Sequence, residues 1–81
     1  MRAVGESVHV QVRGGEPQAL LWRSRRYPVR GVLDEWRASG RWWLRETPRD
    51  YWLLDAFPLT AEVYRTRSGA GFLWVLSRLA D

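Results

Sequence analysis

The segment DYWLLDAFPLTAEVYRTRSGAGFLWVLSRL, residues 50–79, predicts three consecutive β-strands joined by two turns. The predicted strands are Asp50–Ala56, Thr60–Arg67 and Phe72–Leu79, separated by Phe57-Pro58-Leu59 and Ser68-Gly69-Ala70-Gly71. The middle strand alternates with a period of two, which places Ala61, Val63 and Arg65 on one face. Aromatic and β-branched residues in the flanking strands favour the same conformation, and two glycines mark the second turn as a hairpin.

The N-terminal half predicts further strands of the same kind. They are Ser7–Arg13, Gln18–Arg23, Tyr27–Trp36 and a strand that begins with Arg41-Trp42-Trp43-Leu44. Gly14-Gly15-Glu16-Pro17 predicts a four-residue hairpin loop, and Ala38-Ser39-Gly40 predicts a turn. Within Tyr27–Trp36, the spacing of Val32, Leu33 and Trp36 also suits a helical turn. Because Pro28 and the flanking glycines leave no room for a stable helix, we expect a strand, bent or bulged near Gly31.

Turn signals every 8–12 residues in a chain of 81 residues are typical of one small all-β domain, residues 1–81. We predict a small antiparallel meander curled into an SH3-like or OB-like barrel of five to six strands. The aromatic residues must fill a thin core. We expect Trp22, Trp43, Trp52 and Trp74 inside, and Trp36 and Trp42 exposed, since neighbours on one strand face opposite ways.

Composition bears on compartment and partners. The chain has no cysteine, which excludes disulfides and thiolate metal sites and favours a reducing compartment. It has no apolar run long enough to span a membrane and no signal-peptide pattern at its start, so we expect a cytoplasmic protein without membrane contact. The formal charge is +4, and all 13 basic residues are arginine, a bias that a GC-rich genome also produces.

No credible active site is visible in the sequence. His9 is the only histidine, so neither a metal site nor a base-activated nucleophile can be assembled around it. Asp34 and Glu35 would point to opposite faces of a strand, and the glycines near residue 70 precede a strand rather than a phosphate-binding helix. We therefore expect a non-enzymatic protein with no cofactor and no metal, whose carboxylates pair with arginines.

Arginine and aromatic residues alternate along the chain. Such interleaving is typical of surfaces that bind single-stranded nucleic acid, where guanidinium groups follow the backbone and rings stack on bases. The same pairs also form in proteins without a ligand, because arginine stacks over tryptophan at the edge of a core. The candidate binding residues for a partner or a nucleic acid are Arg25, Arg26, Trp36, Arg37, Arg41, Trp42, Arg49 and Tyr51.

Several of these residues also lie in an ordered set of motifs. These are Trp22-Arg23-x-Arg25-Arg26-Tyr27, Trp42-Trp43, Arg49-Asp50-Tyr51-Trp52, Val63-Tyr64-Arg65 and Phe72-Leu73-Trp74-Val75-Leu76. The motifs resemble those of a family of small bacterial domains of unknown function, similar in turn to the C-terminal segment of ImuB, the inactive Y-family polymerase homologue of the bacterial mutasome. The resemblance covers about residues 20–81 and implies an accessory role in error-prone, damage-induced DNA synthesis, without a catalytic residue.

Two functional hypotheses follow. The first is a protein-interaction module in DNA damage tolerance that binds a component of the replication and repair machinery through exposed Trp36 and Trp42. The second is a β-barrel that binds single-stranded DNA or RNA directly with its arginines and exposed aromatic rings. A homo-oligomer formed through an open edge strand is a third, purely structural hypothesis.

Overall fold

The computed structural model describes residues 1–80 and, of Trp42, the backbone only. Seven antiparallel strands form one sheet that is curled into a half-barrel. The strands are β1 (Arg2–Arg13), β2 (Glu16–Trp22), β3 (Arg25–Pro28), β4 (Gly31–Ala38), β5 (Arg49–Ala56), β6 (Leu59–Ser68) and β7 (Gly71–Ala80). The predicted all-β class and curled antiparallel sheet are confirmed, with seven strands in place of five or six. The predicted exposure of the Trp42 side chain lies outside the described residues, as does the carboxylate of Asp81.

The sheet consists of two meanders joined side by side. Its strand order is β3-β2-β1-β7-β6-β5-β4, so β1 to β3 form one meander and β4 to β7 form the other. The meanders meet where β1 pairs with β7, with Val8 opposite Trp74. The three strands predicted between residues 50 and 79 are the best-matched part of the sequence analysis, because they correspond to β5, β6 and β7.

A link of two residues, Val29 and Arg30, joins β3 to β4, which are the outermost strands of the sheet. The chain from Pro28 to Gly31 can span at most about 11 Å. In a flat sheet, six spacings of about 4.8 Å would hold these strands about 29 Å apart. The sheet must therefore curl until its two edges meet at the link. The N–H of Val29 donates to the carbonyl of Gln18 on β2 (2.9 Å), and the N–H of Arg30 donates to the carbonyl of Asp55 on β5 (2.7 Å).

The prediction of a single bent strand over Tyr27–Trp36 is wrong. This stretch forms two strands at opposite edges of the sheet, and the break lies at Val29 and Arg30 rather than within a continuous strand. The strand breaks because Val29 hydrogen-bonds to β2 whereas the next residue, Arg30, hydrogen-bonds to β5. The predicted loop at Gly14-Gly15-Glu16-Pro17 is also shorter, because β2 begins at Glu16 and only the two glycines, both at positive φ, form the turn.

The core lies on one face of the curled sheet, which we call the core-lining face. Its buried residues are Val10, Leu20, Trp22, Trp52, Leu54, Leu59, Ala61, Val63, Leu76 and Leu79. Trp22 and Trp52 are buried as predicted, and Trp74 is partly buried against Trp52, with ring centroids 5.1 Å apart. Large rings from three strands thus complete the thin core of this small chain together with its aliphatic side chains.

The predictions for Arg41-Trp42-Trp43-Leu44 are wrong. Residues Trp42–Leu44 form a 3₁₀ helix rather than the start of a strand, and the Trp43 side chain is 62% exposed instead of buried. The N–H of Leu44 donates to the carbonyl of Arg41 (2.8 Å), which closes the turn. Gly40 lies so close to the backbone of Glu46 that a Cβ atom there would overlap the Glu46 carbonyl, so the segment doubles back on itself.

No helix in the described part of the chain is long and apolar enough to cross a membrane.

The core assignment predicts a large difference between two leucine substitutions. Leu54→Ala removes a side chain that is fully buried, and we expect it to lower the free energy of unfolding by about 2–5 kcal/mol. The matched control is Leu33→Ala, at a position 58% exposed, for which we expect a change within about 0.5 kcal/mol. Urea denaturation followed by tryptophan fluorescence measures both, and equal effects would contradict the assignment of the core.

Candidate functional site

Three aromatic rings form a row across β4, β5 and β6 on the outer face, opposite the core. Trp36 is directly opposite Tyr51, and Tyr51 is directly opposite Tyr64. The rings of Trp36 and Tyr51 are stacked, with centroids 5.2 Å apart and planes within 4°. Tyr51 and Tyr64 also lie 5.2 Å apart but are tilted by 45°. Because side chains alternate along a strand, burial of Trp52 and Leu54 on the core-lining face sends Tyr51 outward.

Trp36 ends this row at the edge of the sheet. It lies on β4, which pairs with β5 on one side and is the last strand in the sheet order. One ring face packs on Tyr51, and beyond the other the described residues form no further strand that could supply a neighbouring side chain. Trp36 is 39% exposed, as the sequence predicts. An indole held flat by one neighbour and open on its other side can accept a further ring or an apolar side chain.

Arg49 covers the other end of the row. Its guanidinium lies 4.5 Å from the ring centroid of Tyr64, and Nη1 donates to the hydroxyl of Tyr51 at 3.5 Å. The hydrogen bond to Tyr51 is the main cause of a raised pKa of the Arg49 guanidinium. Among the described residues, Arg49 makes no ion pair with a carboxylate. We refer to Trp36, Tyr51, Tyr64 and Arg49 as the outer-face patch.

A cavity of about 520 Å³ lies beside the patch at the end of the half-barrel. Its lining includes Ser39, Thr47, Arg49, Tyr51, Thr66 and Arg67. Arg67, like Arg49, makes no ion pair among the described residues, and it lies 5.9 Å from the ring of Phe72. The Glu46 carboxylate also lines this cavity, but it is bound by Arg41 and makes no ion pair with Arg49 or Arg67 among the described residues. Two guanidinium groups without an ion pair, beside several hydroxyls, make this rim suited to carboxylate or phosphate groups of a partner.

On the core-lining face of the same end, Asp50 lies between two arginines. Arg65 Nη2 donates to Asp50 Oδ2 at 3.2 Å, and Arg37 Nε lies 3.7 Å from Asp50 Oδ1. The guanidinium of Arg65 also packs on Phe72 (4.4 Å from the ring centroid), Trp52 (5.4 Å) and Trp74 (5.7 Å). Its Nε is buried and has no hydrogen-bond partner in the described part of the chain. Arg65 thus closes the open end of the core with its planar group, and Asp50 balances its charge.

The structure brings four of the eight sequence-predicted binding residues together. Trp36, Arg37, Arg49 and Tyr51 lie on the adjacent strands β4 and β5, although Arg37 belongs to the core-lining face. The indole of Trp42 is the member of the predicted set that lies outside the described side chains.

Arg25, Arg26 and Arg41 lie apart from that group. Arg25 and Arg26 are on β3 at the other edge of the sheet, where Arg26 Nε donates to Gln11 at 3.2 Å and Arg25 packs over Tyr27. Arg41 is bound within its own loop, because Nη2 and Nε donate to Glu46 Oε1 at 2.7 and 3.1 Å.

Sequence reasoning missed three residues of this region, Tyr64, Arg65 and Arg67. All three lie on β6, whose alternation was recognised, and Arg65 was placed on the same face as Ala61 and Val63. An arginine on an otherwise apolar face was the available signal that a carboxylate must lie opposite it. The described residues contain no group of three or more His, Cys, Asp and Glu side chains that could hold a metal ion.

The chain belongs to DUF6504, a family described as a domain of unknown function, and the match covers residues 1–81. The expectation of a small family of unknown function is therefore confirmed, whereas the similarity to ImuB stays a prediction. No curated protein and no solved structure matches the chain.

The loop contact between Arg41 and Glu46 predicts a lowered pKa for the Glu46 carboxyl. The Arg41 side chain and its backbone N–H both donate to this carboxylate, so its pKa lies below the ordinary value of 4.5. Because the folded-state pKa is below that of the unfolded chain, the contact stabilises the fold at higher pH and this contribution is lost as the pH falls through the folded-state pKa. NMR titration of the carboxyl carbon tests this: Arg41→Gln should raise the pKa, whereas Arg45→Gln, the control, should not.

The role of Asp50 predicts a measurable loss of stability in Asp50→Asn. This change leaves Arg65, which is partly buried, without its negative partner, and we expect the free energy of unfolding to fall by about 1–3 kcal/mol. Glu16→Gln is the control, because Glu16 is exposed and makes no ion pair among the described residues, so its effect should stay within about 0.5 kcal/mol. Equal urea midpoints for the two variants would show that Asp50 does not balance Arg65.

Proposed function

We propose that this DUF6504 domain is a non-catalytic, protein-binding accessory domain that holds its partner on the outer-face patch. The observation that carries the proposal is the stack of Trp36 on Tyr51 at an open sheet edge, next to Arg49, which makes no ion pair among the described residues. Tryptophan, tyrosine and arginine are the residues that dominate interface hot spots. Because the rings are already held by one another, little side-chain entropy is lost when a partner covers them.

The chemistry of the patch indicates what the partner segment contains. The open face of Trp36 suits an aromatic or aliphatic anchor, and Arg49, with Arg67 reaching the same cavity from the core-lining face, suits one or two carboxylates placed beside that anchor. We therefore propose an acidic segment with one large apolar residue. The resemblance of the Trp42-Trp43 and Arg49-Asp50-Tyr51-Trp52 motifs to the ImuB segment supports a partner in cytoplasmic DNA damage tolerance, within the replication and repair machinery.

Single-stranded DNA or RNA is a second candidate ligand for the same surface. The observation that favours it is the pairing of Arg49 with Tyr64 and Tyr51, since nucleic-acid grooves combine guanidinium groups with rings in this way. Among the described residues, three arginines are bound by a carboxylate at 3.2 Å or less, namely Arg23, Arg41 and Arg65, and Arg30 and Arg37 have longer contacts of 3.8 and 3.7 Å. The other eight are spread over several strands and a loop, which favours a protein partner over a continuous nucleic-acid groove.

Direct binding to purified mutasome proteins tests the proposal. We expect one of them to bind, and Trp36→Ala to weaken that binding about thirtyfold, because the anchor loses its platform. Phe57→Ala is the control, since it removes an exposed ring (67% exposed, against 39% for Trp36) from the β5–β6 turn and should leave affinity unchanged. Equal losses in both variants, or no binding to any mutasome protein, would reject the proposed partner.

The affinity for a labelled single-stranded oligonucleotide, measured at a series of salt concentrations, tests nucleic acid as the second candidate ligand. Phosphate contacts by Arg49 and Arg67 alone would give a slope of about −1.4 for log affinity against log salt concentration. That slope, lost in the Arg49→Gln, Arg67→Gln double variant and kept in Arg13→Gln, would assign nucleic acid to the patch. Absence of binding at low salt would eliminate this candidate.

A further inference from the structure

The open side of β4 is an unpaired strand edge with a self-complementary charge pattern. Among the described residues, β4 forms backbone pairs with β5 only, and residues 33–38 are exposed. The Gly14–Gly15 turn borders the groove next to β4, since Gly15 lines it together with Glu35, Trp36 and Arg37, but it forms no backbone pair with β4. A strand with free N–H and C=O groups along one side is a template for pairing with another strand.

The sequence of β4 beyond its bulge is Asp34-Glu35-Trp36-Arg37-Ala38. When two copies of one strand pair antiparallel about a two-fold axis, one residue lies opposite its own copy, and its neighbours lie opposite each other. With Trp36 on the axis, Glu35 of each copy lies opposite Arg37 of the other. Both contacts join opposite charges, and Ala38 lies opposite Asp34 without a like-charge contact.

The alternative symmetric registers are unfavourable. An axis at Asp34, Glu35 or Arg37 places that charge directly opposite its own copy, and like charges at opposed positions destabilise a sheet. Glu35 has no ion-pair partner within the described chain, and the contact of Arg37 with Asp50 is long, at 3.7 Å, so both side chains are available to a second copy. The charges that discourage β4 from pairing with unrelated strands thus also select a single register in which β4 pairs with β4 of a second copy.

We propose that two copies of this chain form a symmetric homodimer through β4, with Trp36 on the two-fold axis. The two sheets become one continuous sheet, and the aromatic row Tyr64, Tyr51 and Trp36 runs on into the row of the second copy. Both outer-face patches then lie side by side on one surface. Pairing through five residues buries less surface than the roughly 1,000 Å² of a stable interface, so we expect a weak and transient dimer.

Charge reversal with a complementary rescue tests this dimer in the full chain by analytical ultracentrifugation at low ionic strength. Glu35→Arg opposes arginine to arginine, and Arg37→Glu opposes glutamate to glutamate, so each should weaken self-association about tenfold or more. An equimolar mixture of the two variants should associate again, because every contact then joins opposite charges. The double variant E35R/R37E should self-associate like the original chain.

The controls separate dimer loss from misfolding. Thermal melting by circular dichroism reports whether each variant folds, and Glu16→Arg reverses a charge on β2 and should leave self-association unchanged. Should Arg37→Glu fail to fold beside Asp50, Glu35→Arg must still weaken self-association more than Glu35→Gln does. A monomeric original chain, undiminished self-association in the single variants, or failure of the mixture to associate would overturn the proposal. The second copy's Trp36 would lie against the open ring face that we assign to the partner's anchor, so self-association competes with partner binding. Because the charge variants keep Trp36, Tyr51 and Arg49, each should still bind the partner, which distinguishes loss of the dimer from loss of the patch.

Discussion

The link between β3 and β4 contains only Val29 and Arg30, and it joins the two strands that lie farthest apart in the sheet order. A chain this short cannot bridge a flat sheet of seven strands, so it imposes the curl that encloses the core. The link is fastened on both sides, since its two N–H groups donate to β2 and to β5. Covalent geometry and two hydrogen bonds therefore hold the edges together at one point and leave them free to separate elsewhere.

That separation produces the surfaces that we assign to binding. Beyond the link, β4 has no strand on its outer side, so Trp36 ends the aromatic row with one open ring face. At the far end of the half-barrel the core is not sealed by a further strand. Arg65 fills this position with a planar group that packs on three aromatic rings, and Asp50 supplies the opposite charge. A closed barrel would have offered neither the open edge nor the need for a charged cap.

The arginines of this chain fall into two physical classes. Some are neutralised at short range by a carboxylate, as Arg41 is by Glu46, and these hold a loop or a strand end in place. Others, such as Arg49, pack on a ring and lack a carboxylate among the described residues. Only the second class retains charge for a partner, because a guanidinium already bound to a carboxylate gains little from a second one. Net charge alone does not distinguish the two classes.

Local pattern in the sequence was sufficient for β5, β6 and β7, for the buried Trp22 and Trp52, and for the exposed Trp36. Alternation with a period of two and glycine-marked turns act between near neighbours, so they can be recognised without coordinates. The same evidence misplaced Trp43, because a strand and a 3₁₀ turn differ there by contacts between Gly40, Arg41 and Glu46 that the local pattern does not encode.

Only the tertiary structure decided that Tyr27–Trp36 divides between opposite edges of the sheet. It also decided that Tyr64 and Arg65, absent from the predicted site, complete the two clusters beside Tyr51 and Asp50. The physical reason is that strand neighbours are chosen by hydrogen bonds between residues far apart in the chain, such as Arg30 to Asp55. For β5, β6 and β7 the sequence by itself determined the strands and the face that each side chain takes, whereas the closing of the sheet determined which of those faces meet.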